Sequence, residues 1–297
     1  MSSTALQERP PARSHRSTRE GEVGSDGLSP RNFDLLSRYI YDYSGIKMPV
    51  TKKTMLEGRL RRRLRVTGLT TLDQYCDYLF KHEGIETEAI HLIDAVTTNK
   101  TDFFREPKHF DHLAANALPD LLSKGHRQLR FWSSACSVGA EPYTLAMVLE
   151  DFIQAKHGLD YTILATDLST DVLQTARRGV FSTAILDPVD SDRRRRYVME
   201  PVDQRRGEVR IHPELRSKVG FARLNLMDSA YSVGDPMHVI FCRNVLIYFD
   251  KPTQHKVLSR LCDKLVSGGY LYVGHSETIT GFDLPVKQVA NTVFQKI

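Results

Sequence analysis

An acidic residue, Glu141, occupies a position where a strand-to-helix loop would usually receive a phosphate. It lies in the segment 130–151, RFWSSACSVGAEPYTLAMVLED, whose pattern predicts a buried strand, a loop of small residues and a helix. The N-terminus of a helix offers free N–H groups and partial positive charge to an anion. A carboxylate there repels phosphate, and the loop has only Gly139 where a dinucleotide-binding loop has G-x-G-x-x-G. The segment therefore predicts a ligand that enters this loop without a phosphate group.

Two further strand ends carry polar side chains. Asp167 ends the apolar run YTILATD, and Arg243 and Asn244 follow the run MHVIFC. Because ligands of open α/β sheets bind beyond the carboxyl ends of the strands, these side chains and Glu141 should face one site. An acid at a strand end can accept hydrogen bonds from ribose hydroxyls. A nucleoside with a cationic, phosphate-free tail fits all three loops, and S-adenosylmethionine (SAM) is such a molecule.

Each of the two acids also has a simpler interpretation. Glu141 could stabilise the helix dipole from the first turn, which is worth about 0.3–1 kcal/mol. Asp167 could cap the helix that follows its strand. The presence of both acids at predicted strand ends, without a glycine fingerprint, favours the cofactor interpretation.

The elements that must position these residues change character near residue 128. From 128 to 297, continuous apolar runs alternate with segments predicted as helices, at 141–157, 170–178 and 253–266. This alternation is typical of an α/β fold with a parallel sheet covered on both faces. We expect the last runs, near Leu271 and over 288–297, to close one edge as an antiparallel hairpin. Between about 187 and 219 the alternation breaks, which predicts an inserted subdomain of short polar strands.

Residues 29–127 show helical periodicity and predict a helical domain followed by a linker. Apolar residues recur at helical spacing, with a glycine stop or a threonine cap at some ends, in NFDLLSRYIYDYSGI, KKTMLEGRLRRRLRVTGL, TTLDQYCDYLF and TEAIHLIDAVTTN. Residues 1–28 are rich in Arg, Ser, Pro, Glu and Gly and nearly free of large apolar residues. Such a segment cannot bury enough surface to offset its ordering entropy, so we expect a disordered tail.

Bulk properties narrow the classes of protein further. The chain has 297 residues and a net charge of +5, and its length suffices for two modest domains. Its four cysteines lie far apart, without CxxC or Cys/His ligand spacing, so no metal site is expected. No apolar run has the length of a membrane span or the character of a signal peptide. We therefore expect a reduced, cytoplasmic protein without membrane insertion, and a monomer because nothing indicates an obligate dimer.

Several linked motifs resemble the chemotaxis receptor methyltransferases, the CheR family. They are spread over residues 30–297: NKTDFFREPKHF, SSACSVGAEPY, ATDLS, LNLMD, FCRNVLIYFDK and GGYLYVGHSET. The resemblance implies an N-terminal helical domain, a Rossmann-like class I SAM-dependent methyltransferase domain and a small inserted antiparallel β-subdomain. It also implies methyl transfer from SAM to glutamate side chains on the cytoplasmic domain of chemoreceptors (methyl-accepting chemotaxis proteins). The products would be glutamyl methyl esters, which tune sensory adaptation, and S-adenosylhomocysteine.

The same resemblance implies a set of cofactor-binding residues. They fall on the NKTDFFRE stretch, on LNL and on the three strand ends: Asn99, Thr101, Arg105, Glu141, Asp167, Asn225, Leu226, Arg243 and Asn244. Arg105 has a planar five-donor fork that suits the carboxylate of the cofactor, although alone it would suggest a surface ion pair. In this interpretation Glu141 holds the ammonium group, Asp167 the ribose, and Leu226 packs on the adenine.

The implied chemistry is displacement at a methyl carbon. A glutamate side chain, with an ordinary pKa of about 4.3, is already anionic at neutral pH. No general base is required, and the sequence shows no obvious triad or paired-carboxylate site. The enzyme's task would be to align the reacting atoms and to remove water from them. Arg243 and Tyr248 could orient the incoming carboxylate, although Tyr248 could equally be a packing residue.

The second predicted helix carries the densest charge in the chain. With its leucines turned inward, arginines project outward or lie on the flanks, and we assign receptor binding to Arg59, Arg61, Arg62 and Arg65. A basic stripe is often only a solvated face, but the family uses a basic helix here to approach the acidic receptor. The inserted subdomain has only Gly207 in its loop, which leaves tethering by a receptor peptide open. The RRRR run at 193–196 is expected to begin a solvated strand edge.

Two other functions remain open at this level. A nucleic-acid methyltransferase would suit a basic chain, but the loop after MHVIFC is RNVLIY and not an N-P-P-Y-like sequence. No basic platform interleaved with aromatic residues is evident, so no nucleic-acid partner is expected. A non-catalytic module that senses the cofactor or scaffolds receptors would keep Glu141 and Asp167 but transfer no methyl group.

Overall fold

A computed structural model describes residues 27–155, 158–203, 205 and 207–297 of the chain. The predicted tail, 1–28, lies outside these residues except for its last two. Leu28 contradicts the tail prediction, because it is buried in the core of the helical domain and its N–H donates to the Glu57 carboxylate. None of the described helices is long and apolar enough to cross a membrane.

The N-terminal helices are α1 (Pro30–Ser44), α2 (Lys53–Thr67), α3 (Leu72–Lys81) and α4 (Ile85–Val96). Local signals set their ends. Gly45 and Gly68 take the left-handed conformation that ends α1 and α2, and Thr71 caps α3 in a capping box with Gln74. The inward leucines of α2 are buried as predicted, and they pack against the other helices of this domain.

A connecting segment follows, with α5 (Lys108–His112), a π-helical turn (Leu113–Ala117) and α6 (Leu118–Ser123). Its aromatic residues fasten it to the rest of the protein. Phe103 is fully buried in the core of the sheet domain, and the ring of Phe110 stacks on Phe241 with centroids 5.7 Å apart. The NKTDFFRE stretch is therefore anchored from within.

The strands are β1 (Gln128–Ser133), β2 (Asp160–Asp167), β3 (Val180–Ser182), β4 (Val198–Met199), β5 (Glu208–Ile211), β6 (Val219–Arg223), β7 (Met237–Cys242), β8 (Leu265–Val273), β9 (Val286–Ala290) and β10 (Val293–Lys296). Seven form one sheet in the order β6-β2-β1-β7-β8-β10-β9. The first five strands of that order are mutually parallel. The predicted hairpin at one edge is confirmed, because β10 is antiparallel to both β8 and β9.

Helices α7 (Ala140–Ala155), α8 (Thr170–Arg178) and α11 (Lys251–Asp263) supply the crossovers. Successive residues of the strands enter different cores, as the side-chain alternation of strands requires. Phe131 belongs to one core and Trp132 to the other, and Val239 and Ile240 divide in the same way. The parallel sheet covered on both faces is confirmed.

The order of the strands reverses between β1 and β7. The chain runs from β1 outward through β2 to β6 and then returns to β7 on the other side of β1. Such a switch point leaves a crevice beyond the carboxyl ends of the two strands, where ligands of α/β sheets bind.

The inserted subdomain is a small antiparallel sheet with the order β3-β5-β4, accompanied by α9 (Ser191–Tyr197) and α10 (Pro213–Ser217). Its strand β3 lies before the predicted start at 187. The expected strand edge at 193–196 is wrong, because these arginines lie in α9. The Asp190 side chain caps this helix, and Arg193 and Arg196 both pair with Asp151 of α7.

Polar contacts fasten the helical domain to the sheet domain. The Tyr41 hydroxyl donates to the Asp250 carboxylate at 2.5 Å, and the Asn225 amide donates to the Tyr43 carbonyl at 2.6 Å. Asp94 in α4 accepts from both the N–H and the hydroxyl of Thr170 at the start of α8. The helical domain therefore covers one side of the crevice at the switch point.

Candidate functional site

A cleft opens at the switch point, between the carboxyl ends of the strands and the helical domain. It holds about 1120 Å³ of space, including the part open to solvent, which is enough for a nucleoside-sized ligand. All nine cofactor-binding residues expected from the sequence line it, together with Tyr248: Asn99, Thr101, Arg105, Glu141, Asp167, Asn225, Leu226, Arg243 and Asn244. Residues separated by almost 150 positions in the chain thus meet in one place.

Asp167 stands at the end of β2 with both carboxylate oxygens engaged by the backbone. Oδ2 accepts from the N–H of Ser137 at 2.8 Å and Oδ1 from that of Ser169 at 2.9 Å. Because Ser169 is the N-cap residue of α8 and precedes its first helical residue, the second contact closes a local turn and does not satisfy an N–H group of the helix, which the simpler capping interpretation expected. Each oxygen can accept a further hydrogen bond, so the carboxylate can still receive ribose hydroxyls. Burial raises the pKa of Asp167 above its ordinary value, although the backbone donors oppose this shift.

Glu141 lies in the first turn of α7 with its side chain 14 % exposed. It accepts from the Ser133 hydroxyl at 2.7 Å and lies 3.5 Å from Nη1 of Arg243. Burial raises the pKa of Glu141, while the Arg243 charge opposes the shift. At this distance the charge of Nη1 only partly offsets the burial of the carboxylate. An ammonium group beside Glu141 would stabilise the ionised form further.

The loop before α7 requires a glycine for packing and not for phosphate. Gly139 has a φ of +97°, and a Cβ there would lie 2.9 Å from the Cβ of Ala176 in α8. The glycine lets α7 and α8 approach each other beside the cleft. This explains why the loop keeps one glycine without the dinucleotide fingerprint.

Arg243, after β7, is buried more deeply than its position in the sequence indicates. Its side chain is 1 % exposed and lies among three acceptors: the carbonyl of Arg105, Oε2 of Glu106 and, at longer range, Glu141. Its Nε and Nη1 have no hydrogen-bond partner among the described residues. A buried guanidinium with unused donors on the wall of a ligand cleft is a feature that a polar ligand would complete.

Glu106, which was not predicted from the sequence, joins three segments around the cleft. Its carboxylate accepts from Arg243 at 3.2 Å, from the Asn244 amide at 3.1 Å and from the N–H of His275 at 3.2 Å. Burial acts to raise the pKa of Glu106, but the Asn244 hydrogen bond and the Arg243 charge hold it below its ordinary value. The only signal in the sequence was its place in the NKTDFFRE stretch.

Glu277 was missed as well, and it fixes the loop that follows β7. This buried carboxylate accepts from the N–H groups of Gly274, Asn244 and Ile247. A Cβ on Gly274 would lie 2.6 Å from the Asn244 amide, so the glycine permits this approach. Burial raises the pKa of Glu277 against these donors. Its role depends on contacts across 33 residues, which no local pattern indicates.

Backbone strain is concentrated beside the cleft. Four non-glycine residues with positive φ border it or its supporting network: Phe104, Glu106, Ser137 and Asn244. Asparagine tolerates this conformation, whereas it costs each of the others roughly 1–3 kcal/mol. The N–H of Phe104 donates to the Thr144 hydroxyl at 3.1 Å, and the hydrogen bonds described above hold the other three residues in place.

A group of possible metal ligands lies behind Arg243, although the sequence predicted none. Atoms of Glu106, His109 and His275 lie within 4.8 Å of one another. Burial, reinforced by Arg243, lowers the pKa of His109 to about 3, so the imidazole is neutral. The Glu106 carboxylate is already occupied by Arg243, Asn244 and His275, and we assign this group to the support of the cleft.

The NKTDFFRE stretch is tied to the loop after β1. The carbonyl of Asn99 accepts from the Ser137 hydroxyl at 2.8 Å. Nη1 of Arg105 donates to the carbonyl of Lys100 at 2.9 Å, which leaves the rest of its fork for a ligand. On the opposite wall, the Asn225 amide is bound to the helical domain, and Leu226 is buried beside it.

The four arginines predicted to bind a receptor do not share one environment. Arg61, Arg62 and Arg65 are on the outer side of α2, and we refer to them as the α2 arginine face. The guanidinium of Arg59 instead donates to the carbonyls of Val96 and Thr97 and to the Thr98 hydroxyl. Arg59 therefore fastens the chain that enters the cleft, a role that follows only from the packing of α2 on α4.

Two parts of the chain match domains of one known family. Residues 99–294 match the SAM binding domain of CheR methyltransferase, and residues 31–97 match its all-alpha domain. The first range holds every cleft residue predicted from the sequence, and the second contains α2.

Relatives that share the family cover most of the chain. It is 38 % identical over 253 residues to the chemotaxis protein methyltransferase of Salmonella typhimurium, with 85 % of each chain covered. It is 38 % identical over 269 residues to that of Escherichia coli, which covers 90 % of this chain and 91 % of the relative. The corresponding protein of Borreliella burgdorferi is 36 % identical over 251 residues, with 83 % and 87 % covered.

Proposed function

The chain belongs to the CheR methyltransferase family and is a SAM-dependent methyltransferase of chemotaxis. From this premise we propose that it methylates glutamate side chains of chemoreceptors and forms glutamyl methyl esters. The same proposal places the protein in the cytoplasm, where the signalling domains of such receptors lie.

The observation that carries the proposal is that the described lining of the cleft offers no histidine or cysteine as a base, and that its third acid, Asp102, is exposed to solvent. The buried acids Glu141 and Asp167 are engaged by Ser133, Arg243 and backbone N–H groups. An amine or hydroxyl acceptor must lose a proton during methyl transfer, whereas a glutamate carboxylate is already ionised. A carboxylate nucleophile therefore fits this cleft best.

The residues of the cleft have distinct roles in this proposal. When bound, SAM supplies an electrophilic methyl group on its sulfonium. Glu141 holds the ammonium group, Asp167 the ribose and Arg105 the carboxylate of the cofactor, while Leu226 packs on the adenine. The donors and acceptors that fit these groups are present, including the unused donors of Arg243.

Arg243 and Tyr248 were both expected to orient the substrate. The burial of Arg243 between Glu106 and Glu141 favours a different role, in which it holds these two acids in place. Tyr248 is half-buried, lines the cleft and remains a candidate for contact with the substrate. Alignment of the reacting atoms and exclusion of water supply the catalysis, because no proton has to move.

The substrate reaches the cleft along the helical domain. Residues of α1, α4 and the turn before α2 line the same cleft as the strand ends. The α2 arginine face therefore lies on the domain that borders the site. Cationic side chains there attract an acidic receptor surface and accelerate its encounter with the enzyme.

A radiolabelled-methyl assay with receptor-containing membranes tests the proposal. We expect label on the receptor that is released as methanol by mild base, as a carboxyl ester requires. A receptor with glutamine in place of the methyl-accepting glutamates is the matched control and should remain unlabelled. Base-stable label, label on added nucleic acid, or no transfer despite cofactor binding would each contradict the proposal.

A further inference from the structure

The proposed substrate is an anion that must approach a cleft containing acids. Glu141 and Asp167 lie on its walls, and both repel an incoming carboxylate. Among the residues that the structure describes, four cationic side chains line the same cleft: Lys52, Lys100, Arg105 and Arg243. One of these is the natural partner of the substrate carboxylate.

Two of the four cations are already committed. Arg243 is buried against Glu106 and the carbonyl of Arg105, and its two unused donors serve the cofactor in the proposed function. Arg105 donates to the carbonyl of Lys100, and the rest of its fork serves the cofactor carboxylate in the proposed function. Lys100 is exposed on its loop.

Lys52 differs from the other three cations. It is half-buried, and its ammonium lies 6.0 Å from the centroid of the Tyr248 ring. Within the described part of the chain, its ammonium makes neither an ion pair nor a hydrogen bond. Its neighbour Lys53 lies outside the cleft lining and 3.9 Å from Glu57.

The two domains fix Lys52 and Tyr248 beside each other. Lys52 ends the short turn Val50–Lys52 that leads into α2, and Tyr248 ends the turn Leu246–Tyr248 after β7. The N–H of Lys47 donates to the carbonyl of Tyr248 at 3.3 Å. A positive charge from the helical domain thus lies next to a hydroxyl-bearing ring from the sheet domain.

We propose that Lys52 and Tyr248 together bind the carboxylate of the substrate glutamate. This inference rests on the proposed function and extends it to the groups that orient the nucleophile. The Lys52 ammonium donates a charge-assisted hydrogen bond to one carboxylate oxygen, and the Tyr248 hydroxyl donates a second. The glutamate remains ionised, and no proton is exchanged with either residue. The helical domain therefore supplies part of the substrate-binding site in addition to a docking surface.

Single-turnover methylation of receptor-containing membranes measures this role. We expect Lys52→Met to lower the rate at saturating cofactor by about 10- to 100-fold, the range for loss of a hydrogen bond to a charged group. Lys52→Arg should retain more activity than Lys52→Met because it keeps the charge. Lys53→Met is the matched control and should stay within about twofold of the wild type, as surface substitutions do. Calorimetric affinity for S-adenosylhomocysteine should be the same in all four proteins.

A binding measurement separates carboxylate recognition from a general effect on activity. A receptor fragment that the wild type methylates is compared with its glutamine isostere, both with S-adenosylhomocysteine present. The wild type should prefer the glutamate form, by about tenfold, and Lys52→Met should lose this preference, as a double-mutant cycle reports.

The outcomes distinguish this inference from the function on which it rests. If Lys52→Met reacts as fast as Lys53→Met, keeps the preference for glutamate or loses cofactor affinity, the role of Lys52 is wrong. If the wild-type protein forms no base-labile ester on any receptor, the proposed function itself is wrong.

Discussion

The cleft and the α2 arginine face both carry charged side chains, but these side chains are fixed in the cleft and exposed on α2. In the cleft, Asp167, Glu141 and Arg243 are each fixed by hydrogen bonds or ion pairs from surrounding elements. On α2, Arg62 and Arg65 are exposed and project from a single helix. A buried charge acts through one geometry, whereas exposed charges act together through a field that salt weakens.

This difference predicts how each region responds to change. Loss of one group in the cleft should remove a specific contact with the cofactor, at any salt concentration. Loss of charge on α2 should weaken encounter with an acidic partner gradually and only at moderate salt. Four experiments on the cleft and on α2 test this contrast.

Replacement of Asp167 should have the largest effect. Asp167→Ala removes the carboxylate proposed to receive the ribose hydroxyls, and we expect affinity for S-adenosylhomocysteine to fall at least 100-fold, or about 2.7 kcal/mol. Titration calorimetry measures the affinity, and circular dichroism checks that the fold is intact. The control is Asp171→Ala, which removes an exposed acid on α8 and should bind normally. If Asp167→Ala binds S-adenosylhomocysteine with unchanged affinity, Asp167 does not bind the cofactor.

Acidification should weaken cofactor binding more than receptor docking. Burial raises the pKa of both Glu141 and Asp167, so each is protonated at a higher pH than an exposed acid. Only the ionised form of Glu141 attracts the ammonium group, and only the ionised form of Asp167 accepts from the ribose hydroxyls with full strength. Binding is therefore complete above the raised pKa values and is lost as the pH falls through them. The affinity should fall by up to about tenfold per pH unit in that range. Calorimetry in two buffers of different ionisation enthalpy should detect the release of protons when the cofactor binds. Cofactor affinity that does not change with pH would contradict the role of these acids.

Charge reversal on α2 should produce a smaller and salt-dependent effect. We expect Arg62→Glu with Arg65→Glu to lower receptor methylation about tenfold at low salt, and less at high salt, without a change in cofactor affinity. Arg38→Glu reverses an arginine of α1 and provides the control. Equal turnover by the double variant and the wild type at physiological salt would argue against docking through this face.

Arg59 should behave as a cleft residue although it belongs to α2. Arg59→Met removes the donors to Val96, Thr97 and Thr98 that hold the chain entering the cleft. We expect cofactor affinity to fall about threefold to tenfold, equally at low and high salt. A salt-dependent loss of receptor methylation with normal cofactor affinity would instead show that Arg59 acts in receptor docking, like the arginines of the α2 arginine face.

Much of the fold followed from periodicity, because burial imposes a local pattern on each element. The helix at 170–178 has the predicted bounds, and the strands that end at Asp167 and before Arg243 lie where the apolar runs placed them. The RRRR run was wrongly predicted as a strand edge, because its composition suits an exposed strand edge or an exposed helix equally well. The cap from Asp190 and the pairing with Asp151 favour the helix, and the pairing with Asp151 is not local.

The alternation of strands and helices, the polar residues at the strand ends and the family of the chain were all predicted from the sequence alone. The first two follow from local physics, since hydrophobic spacing and the ends of strands are set by neighbouring residues, whereas the family follows from the resemblance of the linked motifs. The folded chain was needed to show that Glu106 and Glu277 support the cleft, that Arg59 faces inward and that Lys52 lies beside Tyr248. Each of these depends on segments brought together from distant parts of the chain, and the charge of a side chain does not specify which partner the fold provides.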